Sequence, residues 1–476
     1  MAFLAVRGSG HVNGVSKLHG QVSRQIFQPL FPRWPQTEVP IGSVTNGVHM
    51  PTWDSLEADA LWTTACGKKR WRGQRPSEED IRQIGDAQLW HMRREERKRL
   101  IDRVRRRYAK QLAAEGATST ETAGIFDDNT LTLGFARRFA TYKRPNLLLH
   151  DSERLVRLLC DPQRPLQLIL AGKAHPQDLP GQALIQQWND FARREEVRRS
   201  VVFLSDYDML LTQELVQGVD LWVNTPRRPW EACGTSGMKV LVNGGLNLSE
   251  LDGWWAEAYS PEVGWALGDG KEHDNDPGWD QREAESLYDL LGREIVPEFY
   301  ERNEEGLPVR WLARVRESMA RLTRDYSATR AIREYTENHY LPAASGYAQR
   351  SDNGSELGVA LTQWQRDIGR HWGSVRMGKI DFETHDGQHF FQVQIFPGGL
   401  SPDVLSVEIY ADPLDGGESV VENMIASQAG GDSPGLLIYS GNVSATRPAS
   451  DFTPRIRPRH VNASVPLEAP QILWAR

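Results

Sequence analysis

Between Asn129 and about Gly270, short apolar runs alternate with helix-compatible segments, and no other feature restricts the fold as much. Thr130–Phe135, Leu166–Ala171, Val201–Leu204 and Leu221–Asn224 read as short buried strands. The segments at about Arg144–Leu159, Gln182–Arg194 and Leu210–Gln217 read as helices. Consecutive strands joined by helices pair in parallel, because a parallel connection needs a crossover long enough to hold a helix. The expected class is therefore α/β, with a doubly wound parallel sheet. Such sheets bind ligands beyond the carboxyl ends of their strands. The segments that follow Phe135, Ala171 and Leu204 are thus the first places to look for chemistry.

Composition narrows the classes further. With 476 residues, 39% hydrophobic and 25% charged, the chain is globular in type and long enough for two or three domains. A net charge of −7 supplies no basic excess for nucleic acid. Lys and Arg cluster at Lys68–Arg75 and Arg93–Arg107, and the second run reads as the solvated face of a helix. Cys66, Cys160 and Cys233 are odd in number and widely spaced, forming neither a disulfide framework nor a zinc pattern. The expectation is a reducing, cytoplasmic setting with no bound metal. No apolar stretch approaches membrane-spanning length and the first residues lack a signal-peptide profile, so no membrane partner is expected.

Three regions are expected. Residues 1–50 hold two motif-like pieces, His11–His19 and Val44–Trp53, around a Pro-rich link, and neither could bury a core alone. Residues 51–345 hold the alternating region, flanked by helical stretches at 76–115 and 283–342. Pro76–Asp80 supplies an acidic helix start. In residues 346–476, the runs Val375–Glu383, His389–Ile395, Val404–Tyr410 and Leu436–Tyr439 suggest an appended β-sandwich.

The chemistry-bearing residues concentrate in Pro229–Gly244, which joins Glu231, a Gly234-Thr235-Ser236-Gly237 turn and Lys239. The turn can aim several N–H groups and two hydroxyls at one point, near a helix start, where an anion is welcome. Lys239 follows within about one helical turn. The pattern fits a phosphate-bearing substrate, or a phosphate-bearing aldehyde cofactor held on the lysine; the plain alternative is a Gly-rich turn with a surface lysine. Arg137, Arg138, Lys143 and Arg144 follow the first strand and would suit phosphate oxygens, or else form a solvated basic loop. Tyr207, taken alone, reads as a packed aromatic with its hydroxyl satisfied. Trp222, Trp230, Trp254, Trp255 and Trp265 could stack on sugar faces, although most such residues are core.

Glu231-Ala232-Cys233-Gly234-Thr235-Ser236-Gly237-Met238-Lys239, continued through Asn247–Trp255, resembles the cofactor segment of the α-glucan (glycogen/starch) phosphorylases, especially their short bacterial and archaeal branch. The resemblance implies a two-lobed, GT-B-like glycosyltransferase fold. It assigns Lys239 to carry pyridoxal 5′-phosphate, with Gly234, Thr235, Ser236, Arg137, Lys143 and Tyr207 forming the cofactor's seat. Arg138 and Lys143 would contact the reacting phosphate, with Lys239, Arg138 and Lys143 as the catalytic set. Glu231 would accept from a glucosyl hydroxyl, with backbone contacts from Cys233 and Gly234 and from the main chain of His11. Arg137 stands where many relatives have lysine, and Cys233 where many have serine. The implied activity transfers a glucosyl unit from an α-1,4-glucan to inorganic phosphate, giving α-glucose 1-phosphate with retention. No glycosidase-type carboxylate pair is needed.

The resemblance opens in the last part of the family's N-terminal domain. A C-terminal portion is therefore expected, or a chain whose missing half is a separate partner polypeptide. Two alternatives stand beside the phosphorylase reading. One is a non-catalytic remnant that binds glucan or pyridoxal phosphate. The other is a nucleotide-sugar glucosyltransferase of the same architecture, which would not need Lys239.

Overall fold

A computed structural model describes residues 1–72, 77–114, 116, 124–414, 417–427 and 435–475. The parts of the basic run Lys68–Arg75 and of the helical stretch 76–115 that fall at 73–76 and 115 lie outside the described residues. Contacts divide the chain into two units: Gly14–Gly20 with Ser43–Tyr335, and Met1–Asn13 with Gln21–Gly42 and Thr336–Arg476.

In the first unit, helices α1 (Leu56–Cys66) and α2 (Asp86–Ala114) precede the alternating region. There follow β1 (Leu131–Ala136), α3 (Ser152–Leu159), β2 (Leu166–Ala171), α4 (Leu179–Ala192), β3 (Val201–Leu204), α5 (Met209–Gly218), β4 (Leu221–Asn224), α6 (Ser236–Leu241), β5 (Leu246–Glu250) and β6 (Gly264–Leu267). Helices α7 (Pro277–Leu290) and α8 (Val309–Asp325) close the unit. The six strands form one sheet in the order β3-β2-β1-β4-β5-β6, every pair parallel. Every residue of β1, β2, β3, β4 and β5 is buried, as parallel strands under helices require. The order runs outward in one direction from β1 through β2 to β3 and in the other through β4, so the carboxyl ends of β1 and β4 flank a switch point.

Helix starts follow local chemistry. Asp151, Asp178 and Asp208 each accept a backbone N–H from three residues on, which caps α3, α4 and α5. The helix expected from Arg144 begins only at Ser152. Arg144 itself has φ +42 and precedes Pro145, whose ring disfavours helical geometry at the residue before it.

The basic run on α2 is a solvated face only in part: Arg94, Lys98, Arg103 and Arg106 are exposed. Arg93 and Arg97 are fully buried. Arg93 donates to Glu96 at 2.6 Å, to the Asn243 carbonyl at 2.7 Å and to the Val219 carbonyl at 2.7 Å. Arg97 donates to Asp220 at 2.7 Å and the Asp128 carbonyl at 2.8 Å. These arginines clamp α2 to the strand ends, while Arg93 Nε and Arg97 Nη2 are buried with no hydrogen-bond partner among the described residues.

In the second unit, α9 (Leu341–Ser351) and α10 (Glu356–His371) extend helical structure past Gly346 into the region expected to be β-rich, whose first strand was expected at Val375. Then come β7 (Arg376–His385), β8 (Gln388–Phe396), β9 (Leu405–Ala411), β10 (Val420–Asn423), β11 (Ile425–Ser427), β12 (Leu437–Ser444), β13 (Thr453–Pro458) and β14 (Leu473–Trp474). They make two four-stranded antiparallel sheets, β11-β12-β8-β7 and β10-β9-β13-β14. Val393 and Ile395 from one sheet and Val407, Ile409 and Ile456 from the other share a buried cluster with Trp364 and Ile368 of α10. Phe31, Trp34 and Ile41 find their core against Ile472, with the Trp34 indole donating to the Pro470 carbonyl at 2.7 Å. No helix among the described residues is long and apolar enough to cross a membrane.

Candidate active site

The switch point collects charge. Directly after β1, the Arg137 guanidinium donates to Glu231 Oε2 at 2.6 Å, and the Lys143 ammonium donates to the same oxygen at 2.6 Å. Arg137 also donates to the Asn224 side chain at the end of β4, and Asn224 donates onward to Ser249 Oγ at 3.0 Å. The three charged side chains are 9–11% exposed. Burial pushes the Glu231 carboxyl up, but Arg137 and Lys143 outweigh it and hold the group below its ordinary value. Two cations thus share one carboxylate, and Arg137 Nε is buried with no partner among the described residues.

The loop after β4 is anchored from several sides. The Glu231 N–H donates to Asp252 Oδ2 at 2.9 Å, the Trp254 N–H to the Cys233 carbonyl at 3.0 Å, and the Ser16 hydroxyl to the Ala232 carbonyl at 2.7 Å. Burial pushes the Asp252 carboxyl up to about 7. Gly234 has φ +81, a conformation costly for any side chain larger than hydrogen. Helix α6 then presents Lys239, whose amine lies 3.9 Å from the centre of the Trp53 ring. Burial lowers the Lys239 pKa, which raises the fraction of neutral, nucleophilic amine. Tyr207 is half-buried, close enough to Arg137 to feel its charge, and burial raises its pKa.

The expected residues therefore divide. Arg137, Lys143 and Glu231 meet directly. Gly234, Thr235, Ser236 and Lys239 form the continuous turn and short helix that follow Glu231, and Thr235 makes no side-chain capping bond. Arg138 does not join the cluster: it is exposed and its guanidinium lies 3.5 Å from the Tyr142 hydroxyl. Arg144 turns away to Glu250 at 2.9 Å, Asp280 at 3.0 Å and Glu283. Cys233 is buried with its thiol pushed up to about 12 by burial, which suits packing and not nucleophilic attack. His11 is exposed and belongs to the other unit, its ring 5.5 Å from that of His339. Trp222, Trp254, Trp255 and Trp265 are buried, whereas Trp230 is 65% exposed.

Sequence reasoning did not single out Asn224, Ser249, Asp252, Ser16 or Trp53. A polar residue closing an apolar run, as Asn224 does, was the available signal. The others are found only through tertiary contacts.

Comparison with known proteins gives the family. The family model for carbohydrate phosphorylases matches residues 1–264, and the chain belongs to that family. It is 39% identical over 474 residues to a glycogen phosphorylase of Mycobacterium tuberculosis, covering 97% of this chain and 55% of the relative. It is 33% identical over 469 residues to a maltodextrin phosphorylase of Thermococcus litoralis, again covering 97% and 55%. A glycogen phosphorylase of Aquifex aeolicus is 40% identical over 344 residues, 71% of this chain and 49% of that protein. The chain thus spans about half the length of the curated relatives it matches.

Proposed function

We propose that this chain carries the cofactor side of an α-1,4-glucan phosphorylase, acting on an α-1,4-glucan and inorganic phosphate with pyridoxal 5′-phosphate as cofactor. On this reading the parallel sheet is the doubly wound cofactor domain of a GT-B-like fold, within residues 51–345. The two antiparallel sheets of residues 346–476 are an appended β-sandwich.

The observation that carries the proposal is a desolvated lysine amine on the loop and helix that also supply Glu231 to a cation-rich strand switch point. The residues present fit the cofactor. Lys239 offers an amine biased toward its neutral form, as attachment to an aldehyde requires. Arg137 keeps a buried, unpartnered N–H, and Gly234 leaves the backbone bare of side chain. When bound, the cofactor supplies a phosphate ester able to give and take a proton beside the substrate phosphate.

The chain's own residues would do the rest. Lys239 holds the cofactor; Arg137 and the Gly234-Thr235-Ser236 turn hold its phosphate, with Tyr207 beside it. Lys143, helped by Arg138, binds inorganic phosphate and offsets the strong repulsion between two phosphates in a dry site. Glu231 Oε2 steadies both cations, leaving Oε1 to accept from a glucosyl hydroxyl and orient the sugar.

The test has two arms. After incubation with pyridoxal 5′-phosphate and borohydride reduction, peptide mapping is expected to find the adduct on Lys239; an adduct elsewhere, or none, overturns the cofactor assignment. Maltoheptaose and phosphate are then expected to yield glucose 1-phosphate, and Lys143→Ala is expected to cut turnover far more than glucan affinity. An adduct on Lys239 without product would refute turnover by this chain alone and leave it a cofactor-binding portion.

A further inference from the structure

The basic run along α2 has a second consequence, remote from Lys239. Arg103, Arg106, Arg107 and Lys110 recur at three- and four-residue spacing and so share one helix face. They wall a cavity of about 530 Å³, closed on the other side by Ser205, Asp206 and Glu214. Two of the four are committed. Arg103 pairs with Glu214, and Arg107 donates to the Asp206 carbonyl at 2.8 Å and to Asp208 at 3.3 Å. Asp206 is already paired with Lys173, at 3.1 Å. Arg106 and Lys110 are exposed and have no hydrogen bond or ion pair among the described residues.

We propose that this groove binds a small phosphate compound of two or more negative charges, bridging α2 and the loop Ser205–Asp208. Four cations face two carboxylates in the lining, and like charges at this helical spacing repel one another. A dense anion removes that repulsion, and guanidinium forks match phosphate oxygens in geometry as well as in charge. The volume falls in the range of small-molecule sites.

The loop is tied to the helix independently of any ligand. Gln111 Oε1 accepts from the Ser205 N–H and hydroxyl, both at 2.9 Å, and Asp206 has φ +58. An anion that quiets the charges on α2 therefore steadies the loop as well, and Tyr207 is the next residue along it. None of Arg137, Lys143, Glu231 and Lys239 lines this cavity, so the inference does not depend on the phosphorylase reading.

Hydrogen–deuterium exchange of the whole chain, with and without pyrophosphate at ionic strength matched with KCl, tests it. Pyrophosphate is expected to slow exchange in peptides covering 103–111 and 204–208. In Arg106→Ala/Lys110→Ala the concentration needed is expected to rise about tenfold or more, two charge-assisted contacts being lost. Both side chains are exposed, and unchanged exchange in β1 and β2 shows that the variant folds. Equal protection by KCl, equal protection in the double variant, or protection confined to 137–143 and 231–239 overturns the proposal.

Discussion

Replacing Glu231 by glutamine isolates the charge at the switch point while keeping side-chain volume. In the folded chain the carboxylate takes two hydrogen bonds of 2.6 Å, from Arg137 and Lys143, and all three groups are about a tenth exposed. At an effective dielectric of about 20, each contact is worth roughly 6 kcal/mol of gross attraction, much of it cancelled by desolvation. Glutamine leaves two buried cations with no counter-ion, a change that typically costs about 3–5 kcal/mol. With a urea m-value of about 3 kcal/mol per M, the unfolding midpoint is expected to fall by roughly 1–1.7 M at neutral pH in phosphate-free buffer. The pH dependence has a definite sign. The folded carboxyl lies below its unfolded value, so its contribution is present above the unfolded pKa and disappears as the pH falls through the folded one. The gap between wild type and Glu231→Gln should therefore close in acid. A loss of under about 1 kcal/mol at neutral pH, the range of solvent-screened surface pairs, would refute the buried-cluster argument. So would a gap that stays constant down to about pH 2, below the ordinary carboxylate range.

Two further perturbations probe the neighbouring turn and lysine. In Gly237→Ala the new Cβ would stand 2.5 Å from Asn247 Oδ1 and 3.1 Å from the Trp254 ring, and Asn247 is held by its bond to the Gly237 carbonyl. The expected loss is about 1–3 kcal/mol by thermal or urea unfolding, and an unchanged midpoint refutes the contact. Lys239→Met is expected to raise the stability of the cofactor-free chain at neutral pH, since burial depresses the folded lysine pKa below its unfolded value. The stability such a group contributes is lost as the pH falls through the folded pKa, so the variant's advantage should shrink as the pH is raised toward 10.5. An advantage independent of pH would trace to packing instead of charge.

The four strands β1 to β4 were legible because their runs are short and apolar, and the polar residues among them cluster at the ends. β5 and β6 were not. β5 reads Leu246-Asn247-Leu248-Ser249-Glu250, which resembles a half-exposed strand or a loop, yet all five residues are buried. Its polar side chains are occupied: Asn247 holds the Gly237 carbonyl, Ser249 accepts from Asn224, and Glu250 accepts from Arg144. A central strand that supports a site from beneath loses the apolar signature by which strands are recognised. The helix anticipated at Arg144 failed for a local reason, the following proline. The roles of Arg93 and Arg97 were hidden for a different one, since the sequence shows that they are cations but not that carbonyls and Asp220 await them.

The basic loop after β1 illustrates how folding sorts identical charges into different tasks. Arg137, Arg138, Lys143 and Arg144 are equivalent on paper. In the fold Arg144 is surrounded by Glu250, Asp280 and Glu283, Arg227 donates to Asp280 as well at 2.6 Å, and burial together with Glu283 pushes the Glu250 carboxyl up. Arg138 is exposed, its guanidinium 3.5 Å from the Tyr142 hydroxyl. Arg137 and Lys143 share the single Glu231, in a chain whose net charge is −7 and which therefore has acids to spare. Counting these three side chains alone, one positive charge is left over at the switch point. A buried surplus of positive charge at the carboxyl ends of parallel strands is costly, and a bound anion offsets that cost. The charge arithmetic of these three side chains thus supports the proposed phosphate site independently of the motif.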